Sequence, residues 1–125
     1  MAHIILLCED EEFVARSYIR KLELEGFEVQ HAHNGKEAVE MFEAGSFDLV
    51  LLDLMMPLKN GFEVLAEIQN MIKNGSKATP IIVASNLGQN SDIEEAKKLG
   101  AIDFVVKSNI SLKELVEKIK QYLPE

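Results

Sequence analysis

Short unbroken apolar runs punctuate the chain: Ile4-Ile5-Leu6-Leu7-Cys8, Leu49-Val50-Leu51-Leu52, Ile81-Ile82-Val83-Ala84 and Phe104-Val105-Val106. A run of this length, bounded by polar or turn residues, predicts a strand buried on both faces. One further segment, about Phe27 to Ala32, alternates apolar and polar residues and predicts an edge or half-exposed strand. Between these strands the apolar period lengthens to that of a helix. Phe13, Ile19, Leu22 and Leu24 recur through a first helix rich in Arg, Lys and Glu, which Gly26 ends. Asn34 with Glu37 predicts a capping box for a second helix carrying Ala38, Val39, Met41 and Phe42, closed by Gly45. Gly61 opens a third with Phe62, Val64, Leu65, Ile68 and Ile72, ending near Asn74-Gly75. Ser91 with Glu94 predicts the cap of a short fourth helix ending at Gly100. Ser111 with Glu114 predicts the cap of a fifth carrying Leu112, Leu115, Val116, Ile119 and Leu123. The fifth strand is expected at about Asp103 to Val106.

Strand and helix thus alternate along the whole chain, the pattern of an α/β, doubly wound parallel sheet. Right-handed crossovers bring every strand C-terminus to one edge, where such folds bind their ligands. The residues delivered to that edge carry the chemistry. The first strand runs into Glu9-Asp10-Glu11-Glu12, the third into Asp53, the fourth into Ser85 and the fifth into Lys107. Carboxylates, a hydroxyl and an ammonium gathered at one rim suit a divalent cation and a phosphoryl group.

Bulk properties narrow the function further. At 125 residues the chain suits one domain, 1–125, and it ends soon after the last predicted helix, so no output domain is expected. Hydrophobic content of 47% with 27% charged residues is that of a globular protein. No apolar stretch approaches the ~20 residues needed to cross a bilayer, and cytoplasmic residence is the expectation. The net charge of −8, from 13 Lys+Arg against 21 Asp+Glu, argues against nucleic acid as a direct partner and favours proteins or a metal ion. The lone Cys8 lies in a core strand and reads as packing. His31 and His33 share one face of the second strand; two surface imidazoles are the plainer reading, a transition-metal pair the alternative.

The ordered set of Glu9 and Asp10, Asp53, Pro57 and Gly61, Ser85, and Lys107 resembles the receiver-domain family of two-component response regulators, and is similar to its single-domain chemotaxis members. The resemblance covers the full length. It implies a flavodoxin-like sheet of five strands in the order 2-1-3-4-5, flanked by five helices. It also implies a role in phosphorelay signalling, with Asp53 accepting a phosphoryl group from a sensor histidine kinase or a histidine phosphotransfer protein. Mg²⁺ would be held by Asp10, Asp53 and the Met55 carbonyl, with Glu9 acting through water, and Lys107 would pair with a phosphoryl oxygen. Ser85 and Phe104 would form a switch reaching the face of helix 4, strand 5 and helix 5, read by a downstream protein target. Such a domain catalyses its own phosphorylation and dephosphorylation rather than turning over a separate substrate. Kinase docking is expected on the first helix.

Two features depart from the family pattern. Lys107 is followed by Ser108 where proline is usual, so the peptide is expected to be either strained or trans. Asn86 and Leu87 follow Ser85, and apolar Met55 and Leu87 beside the site lead to an expectation of slow dephosphorylation. Other functions fit less well. An aspartyl phosphatase of the D-x-D pattern would need a second carboxylate where Met55 stands, and a flavin carrier would need a phosphate cradle where Glu9 to Glu12 would repel it. The remaining alternative is a receiver-like interaction scaffold that is never phosphorylated.

Overall fold

The computed structural model describes residues 2–86 and 88–124. Five strands, β1 (Ile4–Cys8), β2 (Glu28–Ala32), β3 (Leu49–Leu52), β4 (Ile81–Ser85) and β5 (Asp103–Val106), alternate with five helices. The helices are α1 (Glu12–Leu24), α2 (Gly35–Ala44), α3 (Gly61–Lys73), α4 (Asn90–Lys98) and α5 (Leu112–Tyr122), and a 3₁₀ turn, Lys107–Asn109, links β5 to α5. All strand pairs are parallel and the order is β2-β1-β3-β4-β5. The alternating strand β2 is an edge, as its half-exposed pattern requires, while β1, β3 and β4 occupy the centre and are almost wholly buried.

Two apolar layers sandwich the sheet, because neighbouring residues on a strand point to opposite faces. Leu6, Cys8, Val50, Leu52, Ile81 and Val83 pack with α2, α3 and Ala96 of α4. Ile5, Leu7, Leu49, Leu51, Ile82 and Ala84 pack with α1 and α5. Cys8 is fully enclosed, and burial pushes its thiol far up from the ordinary value, which agrees with a packing role.

Several local expectations shift by a residue or two. In α1 the inward positions are Ala15, Tyr18 and Leu22, while Phe13 and Leu24 are 79% and 75% exposed. The helix begins at Glu12, and the i, i+3, i+7 stripe from Ala15 leaves Phe13 and Leu24 facing solvent. The Ser91–Glu94 cap does not form: α4 starts two residues earlier, its N-cap is Gln89, and no side chain caps it. Asn34 accepts from the Glu37 amide at 2.8 Å, but the Glu37 carboxylate turns to the His33 amide and ring instead of closing a box. The Ser111–Glu114 box is complete. An Asn60–Glu63 box that carries the same N-x-x-E signature opens α3 and went unread in the sequence.

Candidate functional site

The site sits where the sheet stops. The β1–β3 ladder ends at Cys8 opposite Leu52, and the next residues on each strand are Glu9 and Asp53. The Glu9 amide donates to the Ala32 carbonyl at 3.1 Å and the Asp53 amide to the Cys8 carbonyl at 3.0 Å, so both acids are held by backbone bonds continuing the sheet. Glu9 is 2% and Asp53 8% exposed, while Asp10 faces solvent. Oxygen atoms of Glu9, Asp10 and Asp53 lie within 4.8 Å of one another.

Lys107 closes the group from across the sheet. Its ammonium donates to Asp53 Oδ2 at 3.1 Å and makes a short contact with Glu9 Oε1. Burial works to lower the Lys107 pKa, but Glu9 and Asp53 outweigh it and hold the ammonium above its ordinary value. Burial lifts the Glu9 carboxyl above the ordinary range, with Lys107 and the Glu11 amide pulling the other way. Three carboxylates face one ammonium, so the pocket keeps a surplus of negative charge and all-oxygen donors, the chemistry that suits a small hard cation such as Mg²⁺.

The loop after β3 is shaped by close backbone approach. A Cβ on Gly61 would lie 2.3 Å from the Asp53 carbonyl, and the Gly61 amide donates to the Leu54 carbonyl at 2.9 Å. Only glycine lets α3 start this close to the acid. The Met55 amide donates to Asp53 Oδ1 at 3.3 Å, fixing the carboxylate from the loop side. The Met55 side chain is exposed and, with Asp10, lines an open depression of about 510 Å³ beside the acids.

Ser85 is fully buried at the end of β4, opposite Val106 in the register. Phe104 pairs with Val83, so Phe104 and Ser85 share the face covered by α3 and α4, and Phe104 is half-buried against that layer. Among the described residues no peptide is cis, so Lys107–Ser108 is trans, and the Ser108 amide donates to Asn86 Oδ1 at 3.1 Å. Leu87, invoked for slow dephosphorylation, lies outside the described residues. His31 donates from Nε2 to the Glu9 carbonyl at 2.7 Å and stacks on His33 at 4.0 Å between ring centroids; His33 pairs with Glu37. These contacts occupy both imidazoles structurally. Tyr18, missed in the sequence because it reads as one more helix position, is buried in a groove shared with Lys107, Ser108 and Asn86.

Fold and site together define a receiver. Residues 5–120 match the family model for the response regulator receiver domain, and the chain belongs to that family. It is therefore a receiver domain of two-component response regulators. It is 34% identical over 123 residues to the transcriptional regulatory protein SrrA of Staphylococcus aureus, an alignment covering 98% of this chain and 48% of SrrA. The chain thus spans about half the length of the curated relatives it matches. Among solved structures it is similar to the receiver domain of Francisella response regulator 1452, with a TM-score of 0.87 and 27% identity, covering 96% of this chain and 95% of that one. A CheY-like receiver domain protein from Methanospirillum hungatei JF-1 superposes with a TM-score of 0.88 at 25% identity, covering 97% and 93%. No helix among the described residues is long and apolar enough to cross a membrane.

Proposed function

We propose that the domain, residues 1–125, accepts a phosphoryl group on Asp53 from the phosphohistidine of a sensor histidine kinase or a histidine phosphotransfer protein, in a Mg²⁺-dependent reaction in the cytoplasm. The observation that carries this reading is the convergence of Glu9, Asp10 and Asp53 oxygens within 4.8 Å around an edge that Lys107 also reaches. In the transfer, the P–N bond to the donor imidazole breaks and a P–O bond to an Asp53 carboxylate oxygen forms. The imidazole leaves with the bonding electrons and takes up a proton, and Asp53 becomes an acyl phosphate. Glu9, Asp10, Asp53 and the Met55 carbonyl would hold Mg²⁺, which when bound offsets the negative charge shared by the acids and the phosphoryl oxygens.

The chain's own residues do the rest. The Met55 amide and the backbone bonds of β3 hold Asp53 in line for attack, the positioning that phosphoryl transfer depends on. Lys107 exchanges its bond to Asp53 for one to a phosphoryl oxygen, as a point charge. Ser85 donates its hydroxyl to the same group, and Phe104, on the same face of the sheet, follows into the space that opens. The surface of α4, β5 and α5 changes with them, and a downstream protein target reads the change. Only interactions that differ between the two states drive such a shift.

Incubation with Mg²⁺ and acetyl phosphate, followed by intact mass measurement, tests the reading. The expected result is one Mg²⁺-dependent, hydroxylamine-labile adduct in the wild type and none in Asp53→Asn. A folded, Mg²⁺-binding wild-type protein that takes no phosphoryl group from acetyl phosphate or from a phosphohistidine donor would transfer the function to the interaction-scaffold alternative.

A further inference from the structure

We propose that Asn86 is a positioning residue for Lys107, acting through the Ser108 amide; the inference rests on the phosphoacceptor reading above. The β4–β5 ladder has its last register pair at Ser85 and Val106. Beyond it the chains part: β4 passes into a loop, and β5 winds at once into the 3₁₀ turn Lys107–Asn109. The first amides of such a turn have no partner within it, and no side chain caps this turn from its N-cap residue, Val106. The Asn86 carboxamide reaches across the gap and accepts from the Ser108 amide at 3.1 Å. A side chain thereby supplies one more cross-strand bond after the backbone ladder has stopped.

The sequence neighbours of this bond give it its meaning. Asn86 directly follows Ser85, and Ser108 directly follows Lys107. One hydrogen bond therefore ties the segment bearing the buried hydroxyl to the segment bearing the ammonium. Lys107 reaches Glu9 and Asp53 along a flexible four-carbon chain, so the spot its charge occupies depends on how firmly its backbone is held. Only a residue with a free amide at position 108 permits the arrangement, and serine meets that need where proline would not. The two departures noted in the sequence, Asn86 after the hydroxyl and Ser108 after the lysine, are thus the two halves of one contact.

The test separates the hydrogen bond from mere bulk in the loop. Asn86→Leu keeps the shape and removes the acceptor, Asn86→Ala removes both, and Asn86→Asp keeps an acceptor oxygen. In the full chain with Mg²⁺ and saturating acetyl phosphate, the phosphorylation rate constant is expected to fall about three- to tenfold in the Leu and Ala variants, the scale of one hydrogen bond, and to stay within about twofold in Asp. The half-saturating acetyl phosphate concentration and the melting temperature are expected to hold, because the bond is exposed and lies outside both cores. Exchange of the Lys107 ammonium protons with water, followed by NMR without any phosphodonor, is expected to quicken in Leu and Ala but not in Asp. Unchanged exchange and unchanged rates in the Leu variant would overturn the proposal, as would equal losses in all three variants. If the wild type takes no phosphoryl group, the phosphoacceptor reading fails and the Lys107 exchange measurement alone decides whether Asn86 positions the lysine.

Discussion

Leu58 holds a left-handed backbone, φ +72°, while its side chain is 72% exposed. An L-residue pays about 1–2 kcal/mol for that conformation, and little burial stands against it here. Glycine adopts it freely but loses about 0.5–1 kcal/mol more chain entropy on folding. Leu58→Gly is therefore expected to stabilise the domain by up to about 1 kcal/mol. Chemical denaturation checks this, and a less stable variant would mean that the leucine makes packing contacts outweighing its strain. At this scale the sequence was legible where residue type signals geometry and opaque where it does not. Pro57 and Gly61 mark the loop after Asp53, and the 2.3 Å approach at Gly61 explains the glycine. Nothing in the letters marks Leu58, since leucine is not a turn residue and its φ follows from how its neighbours are anchored. The Pro57 carbonyl accepts from the Gly35 and Lys59 amides at 3.2 and 2.9 Å, one such anchor that only the folded chain brings together.

Among the elements, α4 stands apart from the other helices. It buries only Ala96, whereas α3 buries Gly61, Val64, Leu65 and Ile68, and its N-terminus has no side-chain cap while α3 and α5 have complete boxes. Few buried contacts and open amides mark a segment that opens locally at low cost. Its amides are expected to exchange with solvent faster than those of α3 and α5. Gln89→Asp should slow them by adding a cap oxygen and a charge favoured at a helix start, a gain of about 0.5–1 kcal/mol. Equal protection of α3 and α4 in native-state hydrogen exchange would contradict this. A loosely held α4 also suits the proposed switch, because it lets a small change near Ser85 and Phe104 move that face. The S-x-x-E signature succeeded at Ser111 and failed at Ser91 for the same physical reason. Tertiary contact sets a helix register, and with Ala96 as the one buried residue of α4 the helix starts two residues early, placing Ser91 inside the first turn. Strands were more legible, since β1, β3 and β4 lie between two helical layers and admit almost no polar residue.

For the molecule as a whole, charge decides most. The chain carries −8, and three of its carboxylates, Glu9, Asp10 and Asp53, meet at one edge of the sheet. The convergence was legible because parallel strands deliver their C-terminal residues to one rim. The Lys107 contacts with Glu9 and Asp53 were not, because they reach from the end of β5 past β4 to the ends of β3 and β1 and depend on how the last turn is held. A cation bound there in the native state and not in the unfolded chain stabilises by mass action, about 1.4 kcal/mol at ten times its dissociation constant. For a chain of this size that is a rise of about 3–6 °C in melting temperature. Mg²⁺ is expected to produce it in the wild type and largely to lose it in Asp53→Asn and Asp10→Asn. NaCl at matched ionic strength separates binding from screening of the net charge. The pH dependence has a definite sign. Burial raises the folded-state pKa of Glu9, so without a cation its ionisation weakens the fold as pH climbs from the ordinary carboxylate value through the raised one. A bound cation favours the ionised form and relieves that loss. The Mg²⁺ increment in melting temperature should therefore grow with pH across this window and level off above it. An increment that stays flat with pH, or survives intact in Asp53→Asn, would place the bound cation away from these acids.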